Sequence, residues 1–494
     1  MNQLLGKRCS RLTVDFSAYP RVALAIVTAV GLALGIVVVD GTLKMILACL
    51  GVIFLALGIV YPRLIMYLVV VLVACLSEGT FGVQTGGVFR LSSFILNPIR
   101  MNIYEILIYC LFVILITRRV LGHLPRGVPT WITVPCLVTV LIFLLQLARA
   151  LLSGVPYIDA VNPWNGEYIT AAVVALWCFS ELLGEPVHRL RLLDLLYVCA
   201  TGRAIYALLR FLLGSGDTAN AYRVSGVKVA LWESADHLLF VFLIAVAITA
   251  WATRRVAGKR LAFWAGGSIL MALTVALSYR RTSWIGLAAA LILVSVPLLR
   301  RTKRSLALVP AVLAVLGTIG AASYTRFHTG GGLLARLFPD VVSGLGPTRQ
   351  EEWALAWHTI VRNPIAGDLT ARRLGNSFVA YWDTRIVHNA FLFAWMKLGL
   401  AGLLSLCYLG ATCVVYTIRG VRARGSEEHI SLGVLGIVPF TLVLATFEDS
   451  LIELRTMLIL ALAGALAVRA TCTGVCHHES KGDGSPDDAG AKGE

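Results

Sequence analysis

The sequence predicts an all-α integral membrane protein of about fourteen transmembrane helices, interrupted by one large, helical external loop. Three observations lead there. Hydrophobic residues make up 58% of the 494 and charged residues only 14%, with a mean hydropathy of +0.81, a balance that excludes a soluble domain. Apolar runs of the roughly 17–25 residues needed to cross a bilayer as helices recur almost throughout. Lys and Arg fall in alternate gaps between these runs, as short cytoplasmic loops require.

In chain order the expected spans are 21–39, 43–61, a short one at 64–76, 101–117, 131–147, 168–183, 192–213, 235–252, 261–278, 283–299, 305–323, 390–417, 430–446 and 451–468. The chain thus divides into a cytoplasmic N-terminus (1–20), eleven spans with short loops (21–323), an external loop (324–389), three further spans (390–468) and a disordered cytoplasmic tail (469–494). The basic gaps include Lys7/Arg8/Arg11, Arg118/Arg119/Arg126, Arg254/Arg255/Lys259/Arg260 and Arg300/Arg301/Lys303/Arg304, and they put both termini inside. Arg90, Arg100 and Arg149 are single external exceptions. The net charge of +16 is therefore mostly topological. It calls for membrane lipids with anionic headgroups and for no nucleic acid partner. The first run lacks a small-residue cleavage site and reads as retained.

All eleven Cys fall in spans or cytoplasmic segments, so no disulfide framework is expected. Cys472, Cys476, His477 and His478 bring ligand types close together without a second ligand pair, and no metal site is expected from them or from the external carboxylates.

Three external gaps of moderate size, 77–100, 148–167 and 214–234, carry Gly, Asn, Pro and aromatics. The long loop is different. Thr348-Arg349-Gln350-Glu351 reads as a capping box, followed by Trp353, Ala356, Trp357, Ile360 and Val361 and stopped by Asn363-Pro364. That is an amphipathic helix whose aromatic face would rest on the bundle.

Arg280 and Arg281 sit in a tight external turn, where the positive-inside bias makes a pair of arginines unusual. Guanidinium forks fit phosphate oxygens two at a time, so the pair suits a diphosphate; the plain alternative is that both snorkel to lipid phosphates. Arg349 opens the loop helix, where free N–H groups already favour an anion, although pairing with Glu352 or Asp340 would serve equally. His388 ends the loop ahead of Asn389, a good N-cap for the next span. The positive end of that helix favours a neutral imidazole able to act as a general base, while a wetted interfacial histidine is the commoner outcome for a lone residue. Arg203 and Arg210 lie seven residues apart on one helical face and mark a cavity, an ion pair or a substrate path, with Glu105 the obvious partner for Arg210.

Three stretches together resemble a known family. Arg281-Thr-Ser-Trp-Ile-Gly-Leu is similar to the Ser-Arg-Gly-x-Trp segment of the bacterial O-antigen ligase and polymerase superfamily. Arg349-x-x-x-Trp353 with Asn363-Pro364-x-x-Gly367 resembles its loop helix and turn, and His388-Asn389-x-x-Leu392 with Gly399-Leu-Ala-Gly402 its closing signature. Arg223-Val-Ser-Gly226 is a fainter match. The resemblance implies a GT-C-like, metal-independent and inverting glycosyltransferase without a cofactor, on the outer face of the bacterial cytoplasmic membrane. Its donor would be an undecaprenyl-diphosphate-linked glycan, its acceptor another glycan or lipid A core, and a chain-length regulator is a further partner it allows. By the same resemblance Arg281 and Arg349 bind the diphosphate and His388 handles the acceptor hydroxyl; Arg280, Asn389, Arg223, Arg210 and Arg203 are the further candidates for substrate binding. This chain departs from the pattern in having Arg280 for Ser, Thr282 for Gly, and Met396/Lys397 where an acidic residue is frequent. Polymerase and ligase both fit, and a transporter or lipid-linked glycan flippase remains the rival from another class.

Overall fold

A computed structural model of the chain describes residues 58–76, 103–122, 127–161, 166–218, 228–278, 280–299, 349–370, 387–447 and 453–482, with the single positions 317, 320 and 451. Apart from a two-residue antiparallel pair, β1 (Asp217–Thr218) and β2 (Lys228–Val229), the regular elements among these residues are helices. Besides a four-residue helix at Tyr157–Ala160, they are α1 (Pro62–Cys75), α2 (Ile103–Val120), α3 (Thr130–Leu152), α4 (Glu167–Leu182), α5 (Pro186–Leu212), α6 (Ser234–Thr253), α7 (Gly258–Ala276), α8 (Arg281–Leu299), α9 (Arg349–Arg362), α10 (Ala390–Ala423), α11 (Glu428–Phe447) and α12 (Leu454–Gly482).

Seven of these, α3, α5, α6, α8, α10, α11 and α12, are long and apolar enough to cross a membrane. Helices also stand at the expected spans 64–76, 101–117, 168–183 and 261–278, as α1, α2, α4 and α7. The expected spans 21–39, 305–323 except positions 317 and 320, and 43–61 except its last four positions lie outside the described residues.

The chain forms two compact units, Met1–Val69 with Cys110–Leu124, and Val70–Tyr109 with Pro125–Glu494. All that follows concerns the second. At its centre stand α6 and α12, the two spans most completely buried, and this explains why α6 is apolar on every side. Small residues let backbones approach where dispersion has to do the packing. The ring of Phe440 lies against Gly286, Val246 against Gly433, and Val294 and Ala245 against Gly436, which brings α11 alongside α8 and α6.

Buried ion pairs tie the helix ends. At one end Arg189 forks onto Glu427, its Nη2 2.5 Å from Oε2, and both groups are buried. At the other, the fully buried Arg455 at the start of α12 donates to the Val73 carbonyl, to Glu233 (2.5 Å) and to Asp236. Arg203 donates to the second oxygen of the same Asp236 at 3.1 Å.

Three expectations are corrected. Arg210 pairs with Asp217 (3.0 Å) and the Ser215 carbonyl rather than with Glu105, because the chain reverses at Gly214 directly after α5 and carries Asp217 back over the helix end. Burial lifts the Asp217 carboxyl to about 6, even against the pull of Arg210. The tail expected to be disordered from 469 is helical to Gly482. Arg469 donates to the Ser180 carbonyl and lies 3.9 Å from Glu181, and Thr471 donates to the Tyr416 carbonyl at 2.8 Å, so the last turns of the span have partners on α4 and α10. The loop helix α9 begins and ends where the sequence places it, but it is rotated. Glu352, Ala356 and Ile360 face inward, while Trp357 and Val361 are exposed, Trp357 meeting Trp395 edge-on at 5.3 Å.

Candidate active site

Asn389 caps α10 as its residue type dictates. Its side-chain oxygen accepts from the N–H groups of Phe391 and Leu392, both at 3.0 Å, and its amide reaches the Thr446 carbonyl at 3.5 Å. This fixes His388 one residue outside the helix, beside the C-terminal end of α11 and almost buried.

Glu352, on the inward face of α9, meets His388 there. Both carboxylate oxygens lie 3.0 Å from Nδ1, and Oε1 also accepts the His388 backbone N–H. The two side chains are 10% and 8% exposed, so the contact is screened from bulk water. Arg349 stands three residues, one helical turn, before Glu352, which puts the first turn of α9 next to His388.

The arginine turn is brought to the same end by the packing of α8 on α11. Helices α8 and α11 run antiparallel, with Gly286 against Phe440. From that contact Arg281 is about 8 Å further along α8 and Thr446 about 9 Å further along α11, at 1.5 Å per residue. Arg281 and His388 therefore stand at the same level, at the C-terminal end of α11. Arg280 precedes the first turn of α8; its carbonyl accepts from Trp284, and its guanidinium donates to the Trp232 carbonyl and lies 5.3 Å from the Trp232 ring centroid. Just inside the helix, Ser283 shares a hydrogen bond of 2.7 Å with Nδ1 of the buried His237.

Of the residues singled out from sequence, the fold gathers Arg280, Arg281, Arg349, His388 and Asn389 at one end of the bundle. For Arg281 and Arg349 it is the backbone that is described; Arg223 lies outside the described residues. Arg203 and Arg210 are held by carboxylates of the chain itself. Sequence reasoning missed Glu352 as the partner of His388, and it missed Arg455. A lone arginine in the opening turn of an apolar run was the available sign for the second. Among the described residues no group of three His, Cys, Asp or Glu side chains is placed to hold a metal ion.

The arrangement offers an anion site at two helix N-termini, α8 and α9, each opened by an arginine, next to a histidine with a carboxylate behind it. Residues 266–407 match the family described as O-Antigen ligase. That stretch is similar to O-antigen ligases over less than a third of the chain. The matched stretch runs from within α7 to within α10 and contains Arg280, Arg281, Arg349, Glu352, His388 and Asn389. A comparison with curated proteins finds no match. Together with the seven apolar helices, this match supports a multi-pass membrane protein with a region similar to O-antigen ligases.

Proposed function

We propose that the protein transfers a glycan from a polyprenyl diphosphate carrier to an acceptor hydroxyl, as an O-antigen ligase or polymerase, at the outer face of the bacterial cytoplasmic membrane. The observation that supports this most directly is the convergence of Arg281, Arg349 and His388 at one end of the bundle, within the stretch similar to O-antigen ligases. In this reading Nε2 of His388 takes the proton of the acceptor hydroxyl as its oxygen attacks the anomeric carbon. The bond from that carbon to the phosphate oxygen breaks from the opposite side, which inverts the anomeric centre, and its electron pair leaves with the diphosphate. Arg281, Arg349 and the two helix N-termini stabilise the departing charge without requiring a metal ion.

Arg203 and Arg210 then belong to the frame rather than to the substrate path, since Asp236 and Asp217 already neutralise them. That weighs against the flippase reading, which needs charges lining a central cavity.

The test is purified protein supplied with a polyprenyl-diphosphate-linked oligosaccharide and an acceptor glycan. Wild type is expected to release carrier diphosphate and extend or glycosylate the acceptor; transport of the intact carrier-linked glycan across vesicles without transfer would replace this reading. Arg281→Ala is expected to cost about 10²-fold in rate, the loss typical of one donor to a developing charge. Arg280→Ser is expected to keep transfer and to lower stability by about 1–3 kcal/mol, because its guanidinium is engaged with Trp232. Equal losses in the two variants would make both arginines diphosphate ligands.

A further inference from the structure

Glu352 has no place in the motifs that carry the resemblance, yet it contacts the ring of the proposed base directly. Resting on the reading above, we propose that Glu352 is the positioning residue of the reaction: it fixes the proton of His388 on Nδ1 and so turns the lone pair of Nε2 toward the acceptor.

The carboxylate of Glu352 engages both the ring and the backbone of His388. Both oxygens are 3.0 Å from Nδ1 and one also takes the backbone N–H of His388, so ring and backbone are held by a single group. An ionised carboxylate only accepts hydrogen bonds, which makes Nδ1 the donor and puts the basic lone pair of the neutral ring on Nε2. With the side chains only 8–10% exposed, the attraction between carboxylate and ring is little screened by solvent. When the acceptor proton reaches Nε2, the positive ring lies against a fixed negative charge; the proton later leaves from Nε2 to solvent or product while Nδ1 keeps its own. Asn389 contributes by capping α10, which fixes the backbone beside the ring.

The contact also links two events. Glu352 belongs to α9 and His388 to the start of α10, so the base acquires its orientation only when the loop helix is seated. Arg349, one turn earlier on α9, arrives by the same movement.

Glu352→Gln keeps the shape and removes the charge. It is expected to insert and melt as wild type, to leave KM for the carrier-linked donor unchanged, and to lower kcat on the order of 10–100-fold. Glu352→Asp, which keeps the charge one methylene further back, is expected to fall between the two. Unchanged kcat in Glu352→Gln overturns the inference, as does a rise in KM with no fall in kcat. Ring-nitrogen spectra of histidine-labelled wild type, with His388→Asn to assign the signal, test it without turnover: a proton on Nδ1 of His388 is expected, and an Nδ1 without one overturns the assignment even where the variants insert poorly. Absence of any transfer by wild type would instead remove the reading on which the inference rests and leave the ring spectrum as found.

Discussion

His388→Ala is expected to reduce glycan transfer by about 10²–10⁴-fold while the protein still inserts and folds. The size follows from what the ring is asked to do. A polyprenyl diphosphate is already a good leaving group, so the unassisted step on the acceptor side is removal of a hydroxyl proton as the oxygen attacks. Folding should survive because His388 lies outside α10, whose cap is the Asn389 side chain and is untouched by the substitution. The variant does strand Glu352 without its ring partner, at a cost of about 1–3 kcal/mol. That loss appears in the melting temperature and can be separated from the loss in rate by comparing His388→Asn, whose amide can still donate to the carboxylate. Both variants are expected to bind the carrier-linked donor with unchanged affinity. Full turnover by either would remove His388 from the chemistry.

The positions at the centre of this prediction were legible because each is punctuation. Asn389 is a capping residue ahead of an apolar run, and Asn363-Pro364 can only end a helix, so α9 and α10 could be bounded from sequence. The arginine pair stood out against the positive-inside pattern. What stayed hidden were pairings that depend on how distant segments are brought together. Glu352 and His388 are 36 residues apart, and nothing local says that the carboxylate rather than Trp357 faces inward. Arg210 finds Asp217 only because the chain reverses at Gly214, a turn that a face-by-face reading of one helix does not contain. Arg455 looks like a fault in an apolar run until Val73, Glu233 and Asp236 are assembled around it. The external exception Arg149 has a similar explanation: it donates to the Gly367 carbonyl at 3.2 Å, in the turn that follows α9.

Gly399→Ala is expected to abolish transfer by unseating that turn, with a stability loss larger than the about 1–3 kcal/mol of backbone strain alone. Gly399 interrupts α10 with φ 71° and ψ −177°, a conformation essentially reserved for glycine. A Cβ there would stand 2.1 Å from the Ile365 carbonyl oxygen and 2.5 Å from the Ala366 carbonyl carbon, and backbone cannot yield as a side chain would. The kink exists because the turn after α9 lies in it. Leu400 donates to the Pro364 carbonyl at 3.0 Å, Asp368 to that of Met396 at 2.9 Å, and the Trp395 indole to Pro364 at 2.8 Å. The fully buried Lys397 donates to the Leu369 carbonyl at 3.1 Å, so this cation serves as a clamp on the turn. Displacing residues 364–369 moves α9, and with it Glu352 and Arg349, away from His388. The spans should remain inserted, since Asn389 still caps α10 and the α8–α11 contact at Gly286 is remote from the kink. Limited proteolysis is therefore expected to open new cuts between α9 and α10 in Gly399→Ala while the spans stay protected. Lys397→Met, which removes one donor and keeps the backbone geometry, should show a weaker form of the same effect, by about 1–3 kcal/mol. Wild-type transfer and an unchanged proteolytic pattern in Gly399→Ala would mean that the loop helix reaches His388 without the kink, and that the clamp is packing alone.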